Sequence, residues 1–171
     1  GLNFISFKKN DTIKINNIKE KKIYGELFKN SLLIWTRDTR SASTVLTNQK
    51  KNFKQNIENL KKIKVNADSF YESIKIYKKI DLKKLGVFVN RSWNEKKKLS
   101  NKISTKKIDS IIENSLKIGC YGSKLLGAGG GGFIIVFGKK KHISAIKRKY
   151  KKLDCLNLDL NNKGSEIISI V

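Results

Sequence analysis

The 171-residue sequence contains no proline and no methionine, and it has only two cysteines and one histidine. Cys120 and Cys155 stand apart, without a CxxC spacing, and His142 lies in a basic run. Metal sites and disulfide frameworks need closer sets of such residues, so we expect no metal site and predict that both thiols are small core residues. The apolar runs are too short to cross a membrane and the first residues do not form a signal peptide, which favours a cytoplasmic protein without a membrane partner.

The missing methionine includes position 1, where Gly1 opens a segment with the pattern of a strand. An intact reading frame would supply that methionine. We therefore expect the chain to be a piece of a longer protein, whose function needs further residues. Its length suits one domain that is large enough to bury a core.

Arginine is scarce in a chain that is otherwise strongly basic. Lysine and arginine number 38 against 14 acidic residues, a formal net charge of +24, but only four of the 38 are arginine. Proteins that read nucleic acids favour arginine for bidentate contacts, and here the lysines are scattered along nearly every segment. An A/T-rich coding sequence also accounts for abundant Lys, Asn and Ile together with the absence of Pro. A nucleic-acid partner is therefore not expected.

Glycine is concentrated in one place, the six residues Gly127-Ala128-Gly129-Gly130-Gly131-Gly132. Glycine costs conformational entropy, so five in six positions need a reason. A flexible linker and tight packing are two possible reasons, but the run lacks serine and charge and lies between the apolar segments 124–126 and 133–137. The pattern favours a turn that enters a buried strand and packs against another backbone or an anionic ligand.

The pattern of apolar residues predicts strands that alternate with helices. Leu2–Phe7 and Ile13–Ile18 alternate apolar and polar residues around Asp11, which indicates a β-hairpin. Buried strands are predicted at Leu32–Trp35 and Phe133–Phe137. A closing pair is predicted at 156–160 and 167–171, around the turn 161–164.

Four helices are predicted before the glycine run and one after it. The first is capped by Ser41 or Ser43, the second begins near Asp68, and the fourth is capped by Ser104 or Thr105 and stopped by Gly119, while the last covers 143–153. The side chains predicted to point inward are Val45, Leu46, Phe53, Ile57 and Leu60 in the first; Phe70, Ile74 and Tyr77 in the second; Leu82, Leu85, Val89, Trp93 and Leu99 in the third; and Ile108, Ile111, Ile112 and Leu116 in the fourth. This arrangement predicts an α+β fold.

Three blocks of residues resemble one enzyme superfamily. Residues 121–133, Tyr-Gly-Ser-Lys-Leu-Leu-Gly-Ala-Gly-Gly-Gly-Gly-Phe, resemble the third sequence motif of the GHMP kinases, such as galactokinase and the homoserine, mevalonate and phosphomevalonate kinases. Residues 35–43 (Trp-Thr-Arg-Asp-Thr-Arg-Ser-Ala-Ser) and 92–100 (Ser-Trp-Asn-Glu-Lys-Lys-Lys-Leu-Ser) resemble segments of the D-glycero-D-manno-heptose 7-phosphate kinases. The departures are mild: Ser123, Cys120 and Lys106 stand where the family often has glycine, a small residue and proline.

The resemblance covers the C-terminal half of such a kinase. It implies that residues 29–171 form the GHMP kinase C-terminal domain, a ferredoxin-like sheet covered by helices. Residues 1–28 would be a short β-hairpin left from the N-terminal, ribosomal S5-like domain. The whole protein would use ATP and Mg²⁺ to phosphorylate D-glycero-D-manno-heptose 7-phosphate at its anomeric hydroxyl, in nucleotide-activated heptose biosynthesis for surface polysaccharide.

The resemblance also implies which groups lie elsewhere. The phosphate loop of the Gly-Leu-Gly-Ser-Ser type and the catalytic aspartate belong to the N-terminal half, which would bind most of the ATP and Mg²⁺. We therefore expect no catalytic residue and no metal ligand in these 171 residues, and no activity from them alone. The implied partners are ATP, a sugar phosphate and the missing half of the same kinase.

The candidate site residues fall into two groups. Residues expected to brace the ATP phosphates and their loop are Gly127, Ala128, Gly129, Gly130, Gly131, Gly132 and Lys124. Residues expected to bind substrate are Thr39, Arg40, Ser41, Trp93 and Lys97. Each has a plain structural alternative: a surface lysine for Lys124, helix capping for 39–41, the core for Trp93, and a solvated helix face for Lys97.

Two other functions stay open at this point. A GHMP kinase for another sugar, of the fucose or galactose type, would carry a similar glycine motif. A basic binding fragment without catalysis would bind polyanions, and that binding would fall steeply with ionic strength.

Overall fold

The computed structural model describes residues 2–18, 21–77 and 79–159, except for the side chains of residues 21–24. Six strands and six helices follow one another in these ranges. They are β1 (Leu2–Phe7), β2 (Ile13–Ile18), α1 (Lys21–Lys29), β3 (Ser31–Trp35), α2 (Ala42–Lys51), α3 (Ile57–Tyr77), α4 (Leu82–Lys98), α5 (Lys106–Lys117), β4 (Gly122–Leu125), β5 (Phe133–Phe137), α6 (Lys140–Lys149) and β6 (Cys155–Leu156). Among the described helices, none has both the length and the apolar character needed to cross a membrane.

Four strands form one antiparallel sheet in the order β4-β5-β3-β6. Along the chain these strands follow the ferredoxin-like order β-α-β-β-α-β, in which the first helical connection is formed by the four helices α2 to α5. The predicted α+β class and the ferredoxin-like sheet are therefore confirmed.

The core lies on one face of this sheet. Alternate residues of its three longer strands are fully buried there, namely Leu32, Ile34, Leu125, Ile134 and Val136. Helix α5 adds the predicted stripe of Ile108, Ile111 and Ile112, α6 adds Ile143 and Ile146, and Trp93 comes from α4. Burying a large aliphatic side chain contributes about 1.5–3 kcal/mol, so this cluster supplies most of the driving force for folding.

Helix α5 begins and ends where the sequence predicts. The Thr105 hydroxyl accepts a hydrogen bond from the Ile108 N–H at 3.3 Å. At the other end Gly119 adopts φ +101°, and the N–H groups of Gly119 and Cys120 donate to Leu116 and Ser115 respectively. This is the Schellman arrangement, which favours glycine because the residue has a left-handed conformation.

The predictions for the first two helices are partly wrong. Helix α2 ends at Lys51, and the turn through Asn56 starts a new helix at Ile57. The break shifts the helical phase, so Val45 and Leu60 point inward as predicted, but Leu46, Phe53 and Ile57 are 47%, 53% and 44% exposed. Asp68 does not begin a helix, because it lies within α3 and pairs with Lys64. Tyr77, at the end of α3, is 58% exposed.

Strand β4 was not predicted from the sequence. Its four residues, Gly-Ser-Lys-Leu, lie between Gly119 and the glycine run, where a direct connection was expected. Such a short segment has little strand propensity of its own, and its pairing with β5 produces the strand. The predicted C-terminal helix also starts earlier, at Lys140, and the predicted strand at 167–171 with its turn at 161–164 lies outside the described residues.

The predicted hairpin of β1 and β2 is confirmed, with a register from Leu2↔Ile18 to Phe7↔Ile13. It forms a separate two-stranded sheet, which packs on α3 through a stack of Phe4 on Tyr71 with ring centroids 4.0 Å apart. Its other face is open, because Ile5, Phe7, Ile13 and Ile15 are all 46% exposed or more.

Helix α4 lies directly against β4 through two glycines. A Cβ on Gly86 would come within 2.3 Å of the Tyr121 carbonyl oxygen, and one on Gly122 within 2.6 Å of Gly86 Cα. The Asn90 side chain completes the contact by donating to the Tyr121 carbonyl at 3.0 Å and accepting from the Ser123 N–H at 3.1 Å. This close packing carries the C-terminal end of α4 to the end of β4.

We predict that Gly86→Ala destabilises the domain by about 1–3 kcal/mol, the usual cost of overpacking, because the new methyl group would press on backbone atoms. The matched control is Gly25→Ala in α1, where a Cβ meets nothing within 4 Å. Chemical denaturation would measure both variants. A Gly86→Ala free energy of unfolding within about 0.5 kcal/mol of the wild type would contradict the close packing.

Candidate functional site

Three loops meet at one end of the sheet. Because β5 runs antiparallel to β3, with Trp35 opposite Phe133, the end of β3 lies beside the start of β5. The loop 36–41 after β3 therefore faces the glycine loop 127–132 that connects β4 to β5. The turn 99–104 after α4 lies against the same glycine loop, since the Gly130 N–H donates to the Ile103 carbonyl at 2.8 Å.

Thr36 clamps the end of the glycine loop. Its backbone N–H and its hydroxyl both donate to the Gly132 carbonyl, at 2.9 and 2.8 Å. In return the Gly132 N–H donates to the Asp38 carbonyl at 2.9 Å and to the Thr36 hydroxyl at 3.1 Å. Thr36 is fully buried. This role is not predicted by the sequence patterns, although a single hydroxyl at the end of an apolar strand is a visible signal.

Lys107 of α5 ties the same loop to the helix layer. Its ammonium donates to the Thr36 carbonyl at 2.5 Å and pairs with the Asp38 carboxylate at 3.2 Å. The sequence patterns do not predict this residue either, because nothing in the sequence distinguishes it from the other lysines. The Asp38 carboxylate is thus held by a cation of this chain.

Backbone geometry explains the run of glycines. Gly127, Gly129, Gly130 and Gly132 all have φ between +72° and +124°, which other residues rarely adopt. Gly131 is constrained differently, because a Cβ there would lie 2.3 Å from the Asp38 carbonyl oxygen. The run is therefore a packed turn, with the close approach to another backbone that the sequence predicted.

Four N–H groups of this turn have no internal acceptor. Those of Gly130 and Gly132 are used in the contacts above, whereas Gly127, Ala128, Gly129 and Gly131 donate to nothing within residues 2–18, 21–77 and 79–159. Consecutive backbone N–H groups in such a turn form a concave donor surface that suits an anion. The geometry therefore leaves a set of donors for a ligand or a partner segment.

Two lysines lie beside this turn. The Lys96 ammonium, at the end of α4, donates to the Gly127 carbonyl, and Lys124 lies on β4 just before the turn. Burial, and after it the charge of Lys124, lowers the pKa of Lys96 from 10.5 to about 8. Burial also lowers the pKa of Lys124. Neither lysine has a carboxylate partner within the described residues.

Thr39, Arg40 and Ser41 lie on the loop that meets the glycine turn, and all three are exposed. The Arg40 side chain lies over Gly130, where a Cβ would come within 2.8 Å of its Cδ. Ser41 occupies the N-cap position of α2, but its hydroxyl bonds to that of Ser43 at 2.6 Å and does not cap the helix. The start of α2 therefore keeps unsatisfied N–H groups.

Trp93 and Lys97 do not join this site. Trp93 is 2% exposed in the core, which favours the core alternative for its side chain over the expected substrate contact. Lys97 pairs with Asp109 of α5 at 3.2 Å, and the Ser104 hydroxyl donates to the same carboxylate at 2.9 Å. Its ammonium is thus already engaged away from the glycine turn.

The two thiols are placed as the sequence predicts. Cys120 is buried in the core cluster, and burial raises its pKa to about 11. Cys155 packs against the same cluster, and its pKa is also raised, mainly by burial. Both are free thiols, and their raised pKa values keep them protonated at neutral pH, which is the opposite of an activated nucleophile.

We predict that Gly131→Ala separates the glycine turn from the loop 36–41, because the new Cβ would overlap the Asp38 carbonyl oxygen. Exchange of the Gly132 amide proton, which is bonded to that carbonyl, should then become at least tenfold faster. The control is Gly127→Ala, which meets no neighbouring atom and carries only backbone strain of about 1–2 kcal/mol. If the Gly132 amide proton is equally protected from exchange in the two variants, the result would contradict the close contact between Gly131 and Asp38.

We also predict that Lys96 titrates near pH 8. Its folded pKa lies below the unfolded value of 10.5, so folding favours the neutral amine, and this group adds stability as the pH rises from about 8 to about 10.5. NMR titration of the lysine Cε signals would measure the pKa. Lys124→Met should raise it by removing a neighbouring charge, whereas Lys98→Met, whose ammonium pairs with Glu95, should not. An unshifted Lys96 would refute the prediction.

Comparison with solved structures reveals the same fold in small-molecule kinases. The L. major mevalonate kinase in complex with R-mevalonate matches with a TM-score of 0.67 and 20% identity, over 85% of this chain and 43% of that chain. A D-glycero-D-manno-heptose 1-phosphate kinase from Bacteroides thetaiotaomicron matches at 0.62 and 19%, over 92% and 41%. The Streptococcus pneumoniae phosphomevalonate kinase in complex with phosphomevalonate and AMPPNP matches at 0.66 and 19%, over 89% and 43%.

The chain spans less than half the length of each of these structures. A comparison with curated protein sequences gives no significant match. The family model described as GHMP kinases C terminal matches residues 70–153, which run from the second half of α3 through the glycine turn to four residues beyond α6. Residues 70–153 therefore carry the C-terminal domain of the GHMP kinase family.

Proposed function

We propose that the chain is the C-terminal portion of an ATP-dependent sugar-phosphate kinase, which phosphorylates the anomeric hydroxyl of D-glycero-D-manno-heptose 7-phosphate in the cytoplasm. The GHMP domain supports a phosphotransferase in general. The heptose is favoured by the resemblance of blocks 35–43 and 92–100, and a heptose kinase is among the structures with this fold.

The observation that carries the proposal is the glycine turn with its unused donors. Phosphoryl transfer depends on positioning and on stabilising charge at the phosphate oxygens, more than on covalent chemistry by the protein. The N–H groups of Gly127, Ala128, Gly129 and Gly131 supply neutral donors, and Lys124 supplies a positive charge beside them. These groups fit the phosphates of ATP, or the loop that holds them.

The acceptor side of the proposal rests on the loop 36–41. Thr39, Arg40 and Ser41 present a hydroxyl, a guanidinium group and an uncapped helix start on the same end of the sheet. A phosphate group favours this combination, because the guanidinium can bind it in a bidentate manner and the helix dipole is positive there. We assign these three residues to the phosphate of the acceptor.

The described residues fit the nucleotide phosphates better than Mg²⁺. Magnesium prefers carboxylate oxygens, and the carboxylate nearest the glycine turn, that of Asp38, is held by Lys107. We therefore assign the metal, the general base and the main nucleotide loop to the N-terminal half of the kinase. That half would supply the metal that neutralises the phosphate charge, while the residues of this chain orient the phosphates and the acceptor.

The hairpin supports a partner of this kind. We propose that residues 1–28 belong to the N-terminal domain and residues 29–171 to the C-terminal domain. The open face of β1 and β2 exposes four large apolar side chains, as a strand pair removed from a larger sheet would do. The missing half of the same kinase would cover this face.

The test is phosphotransfer from ATP by this chain joined to the N-terminal half of its own reading frame. We expect turnover with D-glycero-D-manno-heptose 7-phosphate to exceed turnover with fucose, galactose, mevalonate or phosphomevalonate by at least 100-fold. Arg40→Met should raise KM for the heptose phosphate about tenfold or more, because a charge-assisted hydrogen bond is worth about 1.5–3 kcal/mol. Arg148→Met, which removes an exposed arginine of α6 outside the loop 36–41, is the matched control.

The 171-residue chain alone should show no turnover above background, since the catalytic groups are assigned elsewhere. A preference for fucose or galactose would replace the heptose assignment with another sugar kinase. Turnover by the chain alone would overturn the division of labour between the halves. If the joined protein is folded but inactive with every acceptor, and binds polyanions only at low salt, the non-catalytic basic fragment becomes the better interpretation.

A further inference from the structure

Lys96 and Lys124 differ from the other charged residues around the glycine turn because both are partly buried and neither pairs with a carboxylate in the described part of the chain. Helix α4 runs along β4, so the end of the helix brings Lys96 to the point where the strand enters the turn. Lys124 donates to no acceptor within the described residues, and Lys96 has only the Gly127 carbonyl. An ammonium group carries three donors, so most of the donors of this pair are unused.

Within residues 2–18, 21–77 and 79–159, the surrounding elements supply no counter-charge. On α4 itself, Glu95 pairs with Lys98, and Lys97 pairs with Asp109 of α5. The glycine turn has no charged side chain, and β4 contributes only Lys124. Asp38, on the neighbouring loop, is paired with Lys107. Burying two cations without an anion costs free energy, so an anion bound beside Lys96 and Lys124 would offset that cost.

We propose that Lys96 and Lys124, together with the free N–H groups of Gly127 and Ala128, form a binding site for a phosphate-type oxyanion. The four groups belong to two adjacent segments, the end of α4 and the β4 strand with its turn. The neutral N–H donors and the two ammonium groups suit a ligand with several oxygens and at least one negative charge.

Lys96 is the part of this site that the sequence does not reveal. It stands in the run Lys96 to Lys98, but the hydrogen bond to Gly127 separates it from its two neighbours, both of which have carboxylate partners. The proposal deepens the proposed function and rests on it for the expectation of phosphoryl chemistry. The ligand could be the polyphosphate of a nucleotide or the phosphate of an acceptor, which share this chemistry.

The test is a binding titration of the 171-residue chain, followed by NMR through the amide signals of residues 127–131. The probes are tripolyphosphate, a hexose 6-phosphate and inorganic phosphate, at an ionic strength of about 0.15 M, where surface charges are screened beyond about 8 Å. We expect saturable shifts of the Gly127 and Ala128 amides. The probe that binds most tightly identifies the natural ligand. Tightest binding of tripolyphosphate indicates a nucleotide, and tightest binding of the hexose phosphate indicates an acceptor.

Lys96→Met and Lys124→Met should each lower the affinity for the most tightly bound probe about tenfold. Lys96→Arg should recover part of that affinity by restoring the charge. Lys98→Met is the matched control, since it removes the same charge two residues away and should change the affinity less than twofold. An equal loss in Lys96→Met and Lys98→Met, or shifts that never saturate, would overturn the site, because both indicate general attraction to a basic protein. Amide spectra with wild-type dispersion show that the variants are folded.

This readout is separate from the phosphotransfer assay. Binding that is lost in Lys96→Met supports the anion site even if the joined kinase is inactive with every acceptor. Turnover by a joined Lys96→Met protein that equals wild type, together with unchanged binding, would remove the site and leave the kinase proposal intact.

Discussion

The pairing of β3 with β5 is the contact on which the site depends. It places Thr36 opposite Gly132, and the reciprocal hydrogen bonds between them fix where the glycine turn leaves the sheet. Because Thr36 is fully buried, these bonds form away from water and losing one partner would leave an unsatisfied group. The loop 36–41 and the glycine turn are therefore held as one unit.

Close backbone packing extends this unit to the helices. Gly86 and Gly122 let α4 lie directly on β4, and Gly129 and Gly131 let the turn touch residues 103 and 38. Glycine is needed at these positions for two different reasons, a left-handed conformation at Gly129 and the lack of room for a side chain at Gly131. The entropy that glycine costs on folding is offset here by contacts that no other residue permits.

The net charge of +24 says less about function than two individual lysines do. Several lysines lie on exposed helix faces and pair with a carboxylate one turn away, such as Lys61 with Glu58 and Lys75 with Glu72. Exposed pairs of this kind contribute only about 0.3–0.5 kcal/mol each. Lys96 and Lys124 are different because both are partly buried, and this burial lowers their pKa values. Water screens partly buried charges less, so an anion bound beside these two lysines would be stabilised more than an anion at the exposed surface.

Local patterns predicted most of the fold correctly. The hairpin, the strands β3 and β5, helices α4 and α5 and the Gly119 stop all follow from signals within a few residues. The errors have a common physical origin. The break between α2 and α3 and the short strand β4 depend on tertiary packing, since residues 52–56 and 122–125 carry no strong local preference.

The candidate site divides in the same way. The sequence alone predicted the glycine turn and the Thr39-Arg40-Ser41 loop as candidates, because their residue types are unusual for this chain and resemble a kinase family. The sequence could not exclude Trp93 from the substrate-binding residues, since a core tryptophan and a ligand-facing tryptophan look alike in a helical stripe. It also passed over Thr36 and Lys107, whose partners lie 96 and 71 residues away along the chain.

By itself, then, the sequence determined the fold class, the strands and helices with strong periodicity, and the family of the glycine motif. The tertiary structure decided which lysines are partly buried without a carboxylate partner and which glycine N–H groups lack an acceptor, both within the described residues, and which predicted residue is buried. The physical reason is that burial, pairing and hydrogen bonding are properties of neighbours in space, whereas propensity and periodicity are properties of neighbours along the chain.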